Sequence, residues 1–111
     1  MVIYARMSTT TPIAKALAAL GHDARLSVFR LLVKAGEEGL SVGEICQHLE
    51  LAPSTLAHHL RALVDAELVQ QEKRGRAVIN RTDFAAMRRT VDFLTSECCE
   101  GVEIRKVENA A

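Results

Sequence analysis

The chain has no net charge, because 14 Lys and Arg balance 14 Asp and Glu. Nucleic-acid binders usually carry a basic excess, so the total alone argues against that class. Three cysteines are too few for the disulfide framework of a small secreted domain. No stretch approaches the roughly 20 apolar residues that a membrane span needs. The opening residues Met1–Arg6 carry a lone Arg and no apolar region of secretory length. A cytoplasmic protein without membrane contact is therefore expected, its cysteines serving as free thiols, ligands or redox groups. A Cys-x-x-Cys pair, a Gly-rich phosphate loop and a Ser, His and acid set are all missing, so no enzyme is expected. The length of 111 residues suits one core and not two with a cleft between them. At 49% hydrophobic and 25% charged residues, the composition excludes a disordered chain.

The distribution of charge matters more than its sum. Residues 1–53 carry five basic and five acidic side chains, 54–90 carry seven and four, and 91–111 carry two and five. The basic middle also holds His58 and His59, so one surface can attract phosphate while the total stays neutral.

Periodicity predicts about five helices and one hairpin. Ile13, Leu17 and Leu20 mark a short first helix, with Pro12 suited to its first turn and an end near Gly21. Asp23 is a candidate cap for a second helix carrying Leu26, Val28, Phe29, Leu31 and Leu32, which Gly36 and Gly39 stop. Ser41 and Glu44 have capping-box spacing ahead of Val42, Ile45, Cys46 and Leu49, a third helix of about two turns. After a turn at Leu51-Ala52, Pro53 opens a fourth helix with Leu56, Leu60, Leu63 and Val64 inside, and Ser54, Thr55, His58, His59 and Arg61 mostly outside. Two helices joined by so short a turn form a helix-turn-helix.

Residues 68–72 and 77–81 read as strands around Lys73-Arg74-Gly75-Arg76, a β-hairpin with a basic tip. A fifth helix begins near Asp83 and carries Phe84, Met87, Val91, Leu94 and Cys98 at alternating spacings of three and four, the seam of a helix that packs along another. The expected organisation is a flexible segment over 1–11, a winged helix-turn-helix domain over 12–100, mainly α with a β-hairpin wing, and an acidic flexible tail over 101–111.

The second helix of a helix-turn-helix is narrow enough for the major groove, where small polar residues near its N-terminus reach base edges. Ser54, Thr55, His58, His59 and Arg61 are the candidates there, and Lys73, Arg74 and Arg76 are the candidates for backbone or minor-groove contact. Singly, each is more often a solvated surface residue; together they favour double-stranded DNA as the partner.

The runs Leu17–Leu26, Pro53–Leu63 and Asp65–Val69, followed by Arg74-Gly75-Arg76, resemble the ArsR/SmtB family of bacterial winged-helix repressors over roughly residues 13–97. The resemblance implies a homodimer formed through the first and last helices, operator binding without inducer, and release when inducer binds. It makes 54–63 the recognition helix and 70–80 the wing. Ala57 departs from the family, which often has Ser there, and Glu67 stands where the family usually has Gly, a place suited to a left-handed residue.

Sensor sites vary within that family. Its arsenical and cadmium sensors carry a Cys-x-Cys pair where this chain has Ser41 and Gly43, and its zinc and nickel sensors use ligands along the last helix, yet no His follows His59. Cys46 lies between Ile45 and Leu49 and reads first as a small buried hydrophobe. Cys98 and Cys99 are the candidate ligands, adjacent near the end of the last helix. Thiolates select soft partners, trivalent arsenic or antimony among them. Some arsenical-responsive family members are similar in carrying a Cys pair late in that helix. No obligatory cofactor is expected.

Inorganic arsenite or antimonite needs a third ligand, either an outside thiol, a carboxylate such as Glu97 or a residue of a second subunit; methylarsenite needs only two thiols. Two alternatives stand beside this: Cys98 packs in the dimer seam of a ligand-independent regulator, or the thiol pair responds to redox state.

Overall fold

The computed structural model describes the backbone of residues 2–104, with side chains described from Thr11 onward. Five helices and three strands follow in the order α1 (Val2–Leu20), α2 (Asp23–Ala35), a short 3-10 turn (Gly36–Glu38), β1 (Leu40–Ser41), α3 (Val42–Leu49), α4 (Pro53–Asp65), β2 (Val69–Arg74), β3 (Ala77–Thr82) and α5 (Phe84–Thr95). The strands form one antiparallel sheet in the order β1-β3-β2. This is a winged helix-turn-helix.

The core is aliphatic. Val28, Phe29 and Leu32 of α2, Ile45 of α3, and Leu56, Leu60 and Leu63 of α4 meet Leu68 and Val69 at the base of the hairpin. Cys46 is half-buried against this cluster, as its place on the apolar face of α3 predicts.

Several local signals in the chain are realised. Ser41 caps α3: the Glu44 N–H donates to its Oγ at 3.2 Å, and its own N–H donates to Glu44 Oε1 at 2.8 Å. Pro53 stands in the first turn of α4, where its missing N–H has no helical partner to lose. Glu67 adopts φ 64, the left-handed conformation expected at that position. The hairpin closes with Arg74 opposite Ala77, leaving only Gly75 and Arg76 in the loop. Gly75 has φ +60, as a two-residue turn matched to strand twist requires.

Other expectations are corrected. Helix α1 begins at Val2, so Pro12 lies inside it and not in its first turn. A proline there removes one intrahelical bond but still permits a helical φ. Among the described side chains of α1, the buried ones are Ala16 and Ala19, beside the expected Ile13, Leu17 and Leu20 stripe. Leu17 is exposed, and Ile13 and Leu20 are half-buried.

His22, not Asp23, is the cap residue of α2, and it makes no side-chain capping bond. β1 has no signal of its own, since two residues are too few for periodicity; pairing of Leu40 with Asn80 creates it. The acidic tail over 101–111 lies outside the described residues from 105 on.

Asn80 ties the sheet together. It is fully buried, and its Nδ2 donates to the carbonyls of Leu40 at 3.2 Å and Val78 at 3.3 Å. Gln71 Nε2 donates to its Oδ1 at 2.8 Å, so one side chain links all three strands. Gly39 runs so close to Asn80 that an added Cβ would collide with the Asn80 carbonyl oxygen, whereas a Cβ on Gly36 would meet nothing within 4 Å. Both glycines have positive φ, which costs another residue about 1–3 kcal/mol. Urea denaturation is expected to show Gly39→Ala more destabilising than Gly36→Ala; equal losses would mean that the strand contact contributes nothing.

Candidate nucleic-acid interface and thiol pair

The exposed side of α4 carries Ser54, Thr55, His58 and Arg61, as expected. They are outside because Leu56, Leu60 and Leu63, at helical spacing, point the other way into the core. His59 is the exception. It is 5% exposed, sits on the buried side between Leu56 and Leu63, and is not available to a base edge. At three residues from both Leu56 and Ala62, its angular position on the helix is that of the core stripe, not the polar face.

A cleft lined by Ala57, Arg61 and Asp65 of α4, Val42 of α3, Gln71 of β2 and Val78 of β3 separates the recognition-type helix from the hairpin. Lys73, Arg74 and Arg76 are all exposed at the hairpin end. They are not equally free. Arg74 Nη2 donates to Glu72 Oε1 at 3.3 Å, and Arg81 Nη2 donates to the same oxygen at 2.7 Å. Sequence reasoning missed Arg81 and Glu72, because their proximity arises only from the register that sets β2 against β3. The hydrogen bond from Arg81, then that from Arg74, holds the Glu72 carboxyl below the usual carboxylate range.

The hairpin is also joined to the last helix. Asp83 caps α5, its Oδ1 accepting from the Ala86 N–H at 3.0 Å, while its Oδ2 accepts from Gln70 Nε2 of β2 at 3.2 Å.

Cys98 does not continue the stripe of α5. That helix ends at Thr95, and Ser96 is extended, with its Oγ donating to the Phe93 carbonyl at 2.9 Å. Turns follow, with Glu97 and Cys99 both at φ 65. The two cysteines are exposed, and their sulfurs lie 3.0 Å apart. On a continuous helix, adjacent side chains would diverge by about 100°; leaving the helix lets them converge. The Cys99 contact, and secondarily burial, push the Cys98 thiol up. Among the described residues, no group of three His, Cys, Asp or Glu is placed to hold one metal ion. Glu97, the expected third ligand, is therefore not in such a set.

An apolar groove of about 510 Å³ runs beside these elements, lined by Leu17 and Leu20 of α1, Leu26 and Phe29 of α2, and Met87, Val91 and Leu94 of α5. Val91 and Leu94 are 51% and 59% exposed. Among the described residues, no helix is long and apolar enough to cross a membrane.

Because the contact with Cys99 is the main cause that holds the Cys98 thiol protonated, Cys99→Ala is expected to speed alkylation of Cys98 by iodoacetamide at mildly alkaline pH. Peptide mass spectrometry reads the rate, and a slower reaction in the variant would contradict that cause.

Residues 20–72 match the model of a helix-turn-helix domain family. The arsenical resistance operon repressor of Staphylococcus xylosus is 36% identical over 64 residues, covering 53% of this chain and 54% of that protein. The match thus spans about half the length of that curated relative. An ArsR-like transcriptional regulator from Rhodococcus sp. RHA1 superposes with TM-score 0.73 at 27% identity, covering 84% of this chain and 85% of that one. A homodimeric winged helix-turn-helix DNA-binding domain from Mycobacterium bovis shares the fold, with TM-score 0.68 at 20% identity over 91% of this chain and 94% of its own. In its winged helix-turn-helix architecture and in these likenesses, the chain is similar to ArsR-like transcriptional regulators.

Proposed function

We propose that the protein is a transcriptional repressor that binds operator DNA as a homodimer and releases it when a trivalent arsenical binds Cys98 and Cys99. The observation that carries the DNA-binding reading is the pairing of a polar, exposed α4 face with a basic hairpin across one cleft. Ser54, Thr55, His58 and Arg61 read or flank base edges. Lys73 and Arg76, with Arg74 partly neutralised by Glu72, supply phosphate attraction and salt dependence.

A second copy covers the groove between α1 and α5, burying Leu17, Val91 and Leu94. The homodimeric state of the Mycobacterium bovis domain supports this reading. Leu94→Glu is expected to give monomers in sedimentation velocity and to weaken operator binding.

The inducer reading rests on the convergent sulfurs and on the arsenical repressor among the relatives. Two thiolates suit a methylated trivalent arsenical, whose carbon takes the third position on arsenic. Each As–S bond replaces an As–OH bond, and the thiol proton of Cys98 or Cys99 leaves with the hydroxyl as water, so two thiols exchange for two hydroxyls with no net release of protons. Drawing the segment after Thr95 onto one arsenic shifts α5. The Asp83 cap and its bond to Gln70 offer a route from α5 to the wing, and the dimer seam offers another to the spacing of the two recognition helices. A coupling of about 3 kcal/mol lowers operator affinity about 150-fold, and DNA weakens inducer binding by the same factor.

The test is fluorescence anisotropy of a labelled upstream promoter duplex with reduced protein, titrated with methylarsenite, arsenite, antimonite, zinc and an oxidant. Release by trivalent arsenicals in wild type, with binding but no release in Cys98→Ser and Cys99→Ser, is the expected result. Release of the double variant by the same arsenical would remove the pair as the site. Release by the oxidant alone would assign the pair to redox sensing. Arg76→Ala is expected to weaken all duplexes alike, and His58→Ala to change preference among them; the reverse pattern would exchange those roles.

A further inference from the structure

His59 is a polar residue in an apolar position. It occupies the buried stripe of α4 beside Leu60 and between Leu56 and Leu63, and only 5% of it reaches solvent. Its ring lies 5.0 Å from that of His22, at the corner between α1 and α2, and 5.5 Å from that of His58, on the outer side of α4. Arg25 stands with this group, its Nη1 donating to the Ala19 carbonyl at the end of α1 at 3.3 Å. Within this cluster two buried nitrogens, His59 Nδ1 and Arg25 Nε, make no hydrogen bond among the described residues.

The charge pattern is one-sided. The groups that face His59 are His22 and Arg25 from the α1–α2 corner and His58 from α4 itself, and each is a cation when charged. Among the described residues, no carboxylate belongs to that set. A second proton on the His59 ring would therefore bury a cation beside another cation with no acceptor for it. Desolvation first, and then His22, Arg25 and His58, hold the imidazole below its ordinary value of 6.5.

We propose that His59 is a positioning residue for DNA recognition: the neutral ring seats α4 against the α1–α2 corner, and protonation loosens that seat and weakens operator binding. The proposal rests on the reading of α4 as the DNA-contacting helix. The sign follows from proton linkage. A loosened or unfolded His59 takes a proton near its ordinary value, whereas the seated ring resists it. The seated state is thus fully favoured above about pH 6.5 and loses ground as pH falls below that value. A histidine exposed on a DNA-facing surface would gain in acid a charge that attracts phosphate. Acid weakening is therefore not the generic response of a histidine at a DNA surface.

The experiment measures promoter-duplex affinity by anisotropy from about pH 8 to about pH 5.5 at constant ionic strength, with urea unfolding of the free protein at the same pH values. Wild type is expected to lose affinity as pH falls below about 6.5, together with a fall in its unfolding midpoint. His59→Gln, which keeps a polar group but cannot titrate, should bind as wild type near pH 8 and lose the acid fall. Arg25→Gln, which removes a facing cation, should show a shallower one, and it tests the proposal if His59→Gln does not fold.

An acid fall unchanged in His59→Gln or in Arg25→Gln, or wild-type affinity that rises in acid, would overturn the proposal. If no duplex binds at any pH, the DNA reading fails by itself and the unfolding arm still decides about His59. There, wild-type stability should drop more than that of His59→Gln below about pH 6.5, and equal slopes would sink the idea.

Discussion

The structure depends on how α4 is held. A helix that is to present a side chain surface to a partner must be anchored on one side and bare on the other, and α4 achieves this with Leu56, Leu60 and Leu63, all essentially removed from solvent. Each such side chain contributes about 1.5–3 kcal/mol by burial. Around that stripe the remaining elements arrange themselves: α2 supplies Val28, Phe29 and Leu32, α3 supplies Ile45, and the hairpin begins at Leu68 and Val69 in the same core. The polar face of α4 is thus presented to solvent by the anchoring of its opposite side.

The hairpin is fixed by different means. Its outward residues are exposed, so burial orients only its base, and hydrogen bonds do the rest. Asn80 satisfies its buried amide by bonding to Leu40, Val78 and Gln71, which binds the short β1 to the wing. A buried amide left unpaired would cost about 1–3 kcal/mol, so the network specifies one register. Arg81 and Arg74 converge on Glu72, which reduces the positive field of the wing and leaves Lys73 and Arg76 as its less encumbered cations. Asp83 closes the circuit by capping α5 and accepting from Gln70 of β2 with its second oxygen.

Three corrections share one cause. Periodicity reports which residues could share a face, not where a helix stops or which apolar face wins. Leu17 looked internal, but the small Ala16 and Ala19 let α1 approach its neighbours closely and take the buried positions. Cys98 fits the spacing of α5, but the Ser96 and Thr95 hydroxyls bond back to the carbonyls of the last turn, and the helix ends first. That early end is what brings the two sulfurs together. His59 belonged with the polar residues by composition, yet its angle on α4 places it in the core, where His22 and Arg25, distant in sequence, meet it.

The existence of five helices, the short turn before Pro53, the capping box at Ser41 and the hairpin around Gly75 were legible in the chain, because caps, glycine conformations and apolar spacing act within a few residues. The apolar face of α3 likewise foretold the semi-buried place of Cys46, while the left-handed backbone at Glu67 was legible only through the family resemblance. The pairing of Leu40 with Asn80, the Glu72 and Arg81 contact, the link from Gln70 to Asp83, the closeness of Cys98 and Cys99, and the burial of His59 emerge only in the folded chain. Most of these are contacts between residues separated in the chain, whose formation depends on packing and strand register. The cysteine pair is adjacent in sequence, and there the deciding fact was where α5 ends.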